Sequence, residues 1–411
     1  MIILRLLFYR YILVLGPIFI ILSIFALWHS DWLTTSQATH RRDHSAPSRI
    51  EHQLRLRQVK VVKDVNRSKE FNRCSEQTDV IFIKVHKAGS STVSNILQRF
   101  GSFRKLNFVL PNKTLHELRY NYIGDPGDSV TTENILPVPP GEHYNIMCNH
   151  VIYNSATFTR LFPTKRFFYL AIVREPLDHF LSVIRYYGYS EFSYIQTILS
   201  IEADNPISEY LKSPEDYEPV IPYISYTNNR QSVDLGLPVE AIGNASAIQD
   251  YVDIVRRDFD FIMLLEYFDE SLIYLKRKLC WSYKDILYHP KNSRWNNQKY
   301  TLSVQDLARL KRWNSADYAL YDELHSDFWK KIGNAGEYFF EEVLHFKRIT
   351  EMVRVYCSNV DVTDDLEVTG SRWEANFTIS SVDCLMLGLD ELQFLDKIYF
   401  ENYGIVQSKA V

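Results

Sequence analysis

Short apolar runs alternate with polar turns and longer mixed stretches through the middle of the chain. Residues 80–85 (VIFIKV) make a buried strand, a Gly-Ser-Ser turn follows, and residues 92–100 read as a helix. The same succession recurs at 166–173 (RFFYLAIV) followed by 176–187, where Pro176 suits a first helical turn. It recurs again at 261–267 followed by a helix over 269–280, for which Asp269 is the expected N-cap and Glu270 a favourable first-turn acid. Residues 144–148 read as one more strand, after a loop that holds Pro137, Pro139, Pro140 and Gly141. Strands that are apolar throughout and alternate with helices predict an α/β fold around a parallel sheet. From Ser303 to Tyr356 the pattern is helical; beyond it the signals are weak, and there is no internal repeat.

The N-terminal pattern is of another kind. Residues 11–28 are eighteen positions without a charge, preceded by Arg5 and Arg10 and followed by His29 and Asp31. At about 1.5 Å per residue such a helix just spans a bilayer core. The run exceeds the roughly 7–15 residues of a signal-peptide core, and no small-x-small site follows, so an uncleaved signal anchor is favoured over a cleaved leader. The two arginines place residues 1–10 in the cytosol and everything after the span in the lumen. The predicted organisation is a tail (1–10), a single transmembrane helix (11–28), a polar stem (29–76), a globular domain (77–356) and a C-terminal extension (357–411) to which the sequence assigns no role. Asn66, Asn112, Asn244 and Asn376 each open a glycosylation triplet, as suits a lumenal body. Five cysteines, Cys74, Cys148, Cys280, Cys357 and Cys384, leave at least one unpaired. None forms a Cys-x-x-Cys pair, which argues against a thiolate zinc site.

Composition narrows the partners. A chain of 411 residues, 46% hydrophobic, can bury a sizeable core, while a net charge of -4 excludes a general nucleic-acid binder. An anionic ligand must therefore meet a local cluster of cations. The best candidate is FIKVHKAGSST, residues 82–92, where a strand ends in Lys84, His86 and Lys87, and Gly89, Ser90, Ser91 and Thr92 open a helix. A helix start with hydroxyls and a nearby lysine is a ready anion site. The lysine precedes the glycine, so the Walker pattern of nucleotide triphosphatases is absent. Read alone, the same residues equally describe a Ser/Thr-capped helix with solvated lysines. IVREPLDHFLSVIRYY, residues 172–187, adds Arg174 at a strand end and Ser182 on the next helix. In a parallel sheet neighbouring strand ends share one crevice, so this pair suits a second phosphate.

These residues resemble the galactose 3-O-sulfotransferase family. The likeness continues through CNH at 148–150, NNRQSVDLG at 228–236, EYFDESLIYLKRKLCW at 266–281 and LKRWNSADYALYDELHSDFW at 310–329, and so covers about residues 78 to 332 in order. It implies a P-loop-like sulfotransferase fold, 3'-phosphoadenosine 5'-phosphosulfate (PAPS) as donor and a β-linked galactose acceptor on a glycolipid or glycan. It also implies a Golgi membrane setting of single-pass type II topology. By position, Lys84, Lys87, Gly89, Ser90, Ser91 and Thr92 would hold the 5'-phosphosulfate, and Arg174 and Ser182 the 3'-phosphate. His86, Lys87 and His150 would be catalytic, with Lys87 on the leaving group and one of the two histidines taking the acceptor proton. The chain departs from the family at Ala88-Gly89, and in Val151, Ile152 and Tyr153 after His150.

Sulfuryl transfer rests on positioning and electrostatics, and it calls for no metal. Flanking lysines are expected to depress the pKa of His86 and keep it neutral. Asp258-Phe259-Asp260 matches a glycosyltransferase metal pattern formally but leads into a strand. Aromatic residues at Tyr186, Tyr187, Tyr189, Phe192 and Tyr194 could stack on sugars, or simply pack. Two alternatives stay open: a sulfotransferase for another sugar, such as a glycosaminoglycan uronic acid, and a non-catalytic lumenal glycan-binding protein. A homodimer is compatible with either.

Overall fold

The computed structural model describes residues 74–112, 121–125, 127–163, 166–188, 193–289, 300–359 and 364–404. The candidate anchor at 11–28, Asn66, Tyr189 and Phe192 lie outside the described residues. Among the described residues no helix is long and apolar enough to cross a membrane.

Four strands make the central sheet: β1 (Val80–Ile83), β2 (Ile146–Met147), β3 (Phe168–Val173) and β4 (Phe261–Leu264), in the order β2-β1-β3-β4 and parallel throughout. All four residues of β1 and β4 are buried, as the unbroken apolar runs predict for a sheet covered on both faces. Burying such side chains stabilises the fold by about 1.5–3 kcal/mol each. β1 and β4 end before their apolar runs do, because the chain leaves the sheet at its C-terminal edge to build loops. Phe261–Leu264, for instance, passes directly into a 3-10 turn, Leu265–Tyr267. The order reverses direction between β1 and β3, and at such a switch point the loops after the two strands part and leave a crevice.

The helices that matter to the site are α1 (Ser90–Arg104), α2 (Pro176–Tyr187), α3 (Arg230–Asp234), α4 (Ala245–Asp258), α5 (Phe268–Leu279), α6 (Val304–Trp313), α7 (Ser315–Gly333), α8 (Phe339–Ser358), α9 (Ser381–Gly388) and α10 (Glu391–Tyr403). Pro176 opens α2 as expected, with the Glu175 side chain accepting from the Asp178 amide. At α5 the expectation fails: Tyr267 is the cap residue, and Asp269 instead accepts a hydrogen bond from the Tyr288 hydroxyl at 3.0 Å. The 3-10 turn starts the helix one residue early and carries Asp269 inside its first turn.

The C-terminal extension is built into the same body. A hairpin of β5 (Leu366–Val368) and β6 (Phe377–Ile379) precedes α9 and α10, and Phe394, Leu395, Ile398 and Tyr399 of α10 join the hydrophobic cluster that holds the sheet. α10 packs on α1, and Asn95 of α1 donates to the carbonyls of Met386 and Leu389 at 3.1 and 3.3 Å. Disulfides join Cys74 to Cys280 and Cys357 to Cys384, which leaves Cys148 as a buried free thiol that burial pushes up to about 12.

Candidate active site

The turn after β1 is made by two left-handed residues, Lys87 (φ 55) and Gly89 (φ 80). A side chain at Gly89 would be strained by its φ and would also meet Leu265 Cδ1 at 2.6 Å, so glycine fits on both counts. Gly89 is itself the cap residue of α1, without a side-chain cap. Ser90 does not cap the helix either: its hydroxyl donates to the Val85 carbonyl at 2.6 Å and closes the turn. The plain capping reading of this segment therefore does not hold, and the first turn of α1 opens on a cavity.

That cavity has a volume of about 790 Å³. It gathers every residue the sequence assigns to donor binding or catalysis: Lys84, His86, Lys87, Gly89, Ser90, Ser91, Thr92, His150, Arg174 and Ser182. Arg174 stands where β3 ends, its backbone fixed on both sides by the Gln231 amide, at 2.7 and 2.9 Å. Burial pulls its pKa below the usual range, and Ser182 of α2 lines the same cavity. Lys87 lies over the Tyr186 ring, 3.3 Å from its centre. Burial, then the charges of Arg174 and Lys84, pull Lys87 down to about 8.

The two histidines stack with ring centres 4.0 Å apart, and burial lowers the pKa of both, which favours the neutral imidazoles. His86 is drawn down to about 4, chiefly by burial; Arg230 and Lys84 add to this and Asp234 opposes it. The direction agrees with the sequence expectation, but the cause is mainly desolvation rather than flanking lysines. His86 donates from Nδ1 to Asp234 at 2.8 Å, and its Nε2 accepts from the Tyr122 hydroxyl at 2.7 Å. Asp234 ends α3 and also pairs with Arg230. Burial works against its ionisation, yet Arg230 and His86 outweigh burial and hold it well below the ordinary carboxylate range. α3 is itself pinned to α7, since Asp317 accepts from the Ser232 amide at 2.7 Å.

His150 presents a different face. Its Nδ1 donates to the Lys84 carbonyl at 3.0 Å, which fixes the tautomer, and its Nε2 accepts from Lys84 Nζ at 2.9 Å. Burial, then the neighbouring His86, Lys84 and Arg230, lower it well below the ordinary imidazole range. Lys84, only 2% exposed, also donates to both carboxylate oxygens of Glu391, each at 2.6 Å.

Sequence reasoning missed Asp234, Tyr122 and Glu391. Asp234 stands inside NNRQSVDLG, a stretch read only for its likeness. Tyr122 is placed by backbone pairing of residues 121–123 with His150, which no local pattern announces. Glu391 follows Asp390, whose capping box with Gln393 is a legible helix start, but nothing in that signal points to a cavity. Of the aromatic set, Tyr186 and Tyr187 line the cavity, whereas Tyr194 bonds to Thr227 at 2.9 Å. Asp258 accepts from Tyr153 and Ser155, and Asp260 from the Tyr169 amide, so both sides of that formal motif are structural. No group of three or more metal-ligating side chains occurs among the described residues.

Fold and cavity together define a parallel α/β protein with a pocket at its switch point that is lined by Lys84, Lys87 and Arg174 and by a stacked pair of buried imidazoles. The sequence profile of the family Galactose-3-O-sulfotransferase matches residues 1–366, and the chain belongs to that family. Galactosylceramide sulfotransferase of Homo sapiens is 31% identical over 286 residues, 69% of this chain and 65% of that protein. Galactose-3-O-sulfotransferase 2 of Sus scrofa is 30% identical, covering 62% of each chain. Galactose-3-O-sulfotransferase 3 of Mus musculus is 30% identical over 62% of this chain and 58% of its own. The matched stretch thus spans somewhat under two thirds of the length of these relatives, and the resemblance read from the motifs is borne out.

Proposed function

We propose that this chain transfers a sulfuryl group from PAPS to the 3-hydroxyl of a β-linked galactose on a glycolipid or glycoprotein glycan. We further assign it to the Golgi membrane as a type II protein held by residues 11–28, with its body lumenal. The observation that carries the reading is one cavity in which Lys87, Arg174, Ser182 and the first turn of α1 face two neutral histidines. Two cations, hydroxyls and a helix N-terminus match a ligand with two phosphate groups. PAPS would supply the sulfuryl group, whose bond to the 5'-phosphate oxygen breaks as the bond to the acceptor oxygen forms. Lys87 neutralises the charge that builds on the departing oxygen, a role for which a half-buried lysine within the loop is suited.

His86 is better placed than His150 as the base. The Nε2 lone pair of His150 is taken by Lys84, whereas that of His86 is met only by the Tyr122 hydroxyl at the cavity wall. An acceptor hydroxyl takes over that position and gives its proton to Nε2, and Asp234 stabilises the imidazolium that results. Asp234 stays ionised for this purpose because Arg230 holds it so.

The test is sulfate transfer by the full-length chain in isolated membranes, from labelled PAPS to galactosylceramide, lactose-based and uronic-acid acceptors side by side. Label at galactose O3 is expected; label on uronic acid alone, or on no acceptor, contradicts the proposal. The lumenal assignment predicts glycan addition at Asn244, an exposed helix cap, removable by endoglycosidase.

A further inference from the structure

The ammonium of Lys84 has three hydrogens, and all three are engaged: two by the carboxylate oxygens of Glu391 and one by His150 Nε2. As it stands, Lys84 has nothing to offer a donor anion. Glu391 comes from the first turn of α10, beyond the stretch that the family profile covers, and its Oε2 also lies 3.5 Å from the Ser91 hydroxyl at the opening of α1. The carboxylate thus sits at a helix N-terminus between a lysine and a serine, where an anionic ligand is electrostatically favoured.

We propose that Glu391 is a resident anion of the donor cavity, and that its carboxylate must give up Lys84 to an oxygen of the phosphosulfate before the donor seats fully. The inference rests on the donor reading given above and adds to it the residue that sets donor affinity. With all three hydrogens of Lys84 taken, a donor oxygen can reach the ammonium only by displacing one partner, and repulsion between the two anions makes that partner Glu391. In the empty cavity the carboxylate is equally needed, since a buried lysine without a counter-charge is costly. The exchange is a side-chain movement. Glu391 is 14% exposed at the cavity mouth, while the rest of α10 is held by its packing on α1 and by the Tyr399 hydroxyl on the Pro111 carbonyl at 2.8 Å.

The test is equilibrium binding of PAPS, without acceptor, and of its desulfated product adenosine 3',5'-bisphosphate to the full-length chain. Wild type, Glu391→Gln, Glu391→Asp and Lys87→Ala are compared, with thermal unfolding as a check on folding. Neutralising the carboxylate, or withdrawing it by one methylene, is expected to tighten PAPS binding about tenfold, as removal of a competing closed state does. Unchanged or weaker PAPS binding in both folded Glu391 variants overturns the proposal while leaving the donor reading intact, provided wild type binds and Lys87→Ala does not. If wild type binds neither nucleotide, the donor reading falls and takes the proposal with it.

Discussion

The loop at residues 84–92 and the segment at 381–403 meet in one cavity by opposite routes. In the loop, nine consecutive positions supply a strand end, cations, a left-handed turn and a helix start, so the chemistry is local. In the C-terminal segment a single carboxylate is delivered across about three hundred residues of chain by packing of α10 on α1. The first kind of contribution binds through backbone dipoles and fixed charges. The second tunes what the first can bind, and its effects should be smaller and of the opposite sign.

The largest effect belongs to the loop. Lys87→Ala is expected to lower transfer on the order of 10³-fold, because the charge on the leaving oxygen loses its partner. A loss under tenfold, measured with saturating acceptor, would remove Lys87 from that role and erase the contrast with Glu391. Asp234→Asn comes next, with kcat falling about 10²-fold while binding of adenosine 3',5'-bisphosphate holds, since Asp234 touches His86 and Arg230 but neither Lys87 nor Arg174. In wild type the acid limb of kcat/KM should lie well below the ordinary imidazole range, near the value of about 4 to which burial draws His86. An acid limb at 6.5 or above would mean that another group titrates.

Donor affinity should also weaken from the alkaline side. Lys87 loses its proton as pH rises through about 8 in the empty cavity, so binding of the bisphosphate is expected to fall by up to about tenfold per unit above that. A flat profile between pH 7.5 and 9.5 would show that Lys87 contributes no charge to binding. The smallest effect on turnover is expected from Cys357→Ser, which unties α8 from α9 but touches nothing in the cavity. It should cost about 3 kcal/mol of stability, read as a lowered thermal midpoint, with transfer at 25 °C within about twofold of wild type. A fall in transfer as large as that of Asp234→Asn would place the disulfide in control of Glu391 rather than of stability alone.

How far the sequence could be read follows the same division. The parallel sheet was legible because β1, β3 and β4 are apolar at every position, a pattern that a half-exposed sheet does not produce. The loop and Arg174 were legible because strand ends of a parallel sheet converge, so two separate motifs predict one site. Asp234 was not, since a buried aspartate in a short helix has no local signature; its meaning comes from His86, 148 residues away. Ser90 misled in one respect, because a serine before a helix reads as a cap until its hydroxyl is seen on Val85. The extension after Tyr356 carries ordinary helix-start signals at Ser380 and Asp390, and these fix where helices begin but not what they touch.

The central claim is that the cavity at the β1 and β3 ends is where the donor binds and transfer occurs. The most direct measurement is the appearance of labelled sulfate on a β-galactoside from labelled PAPS, in membranes carrying wild type or Lys87→Ala at matched abundance. The account predicts label on galactose O3 with wild type and almost none with the variant. Equal labelling by the two proteins would contradict it.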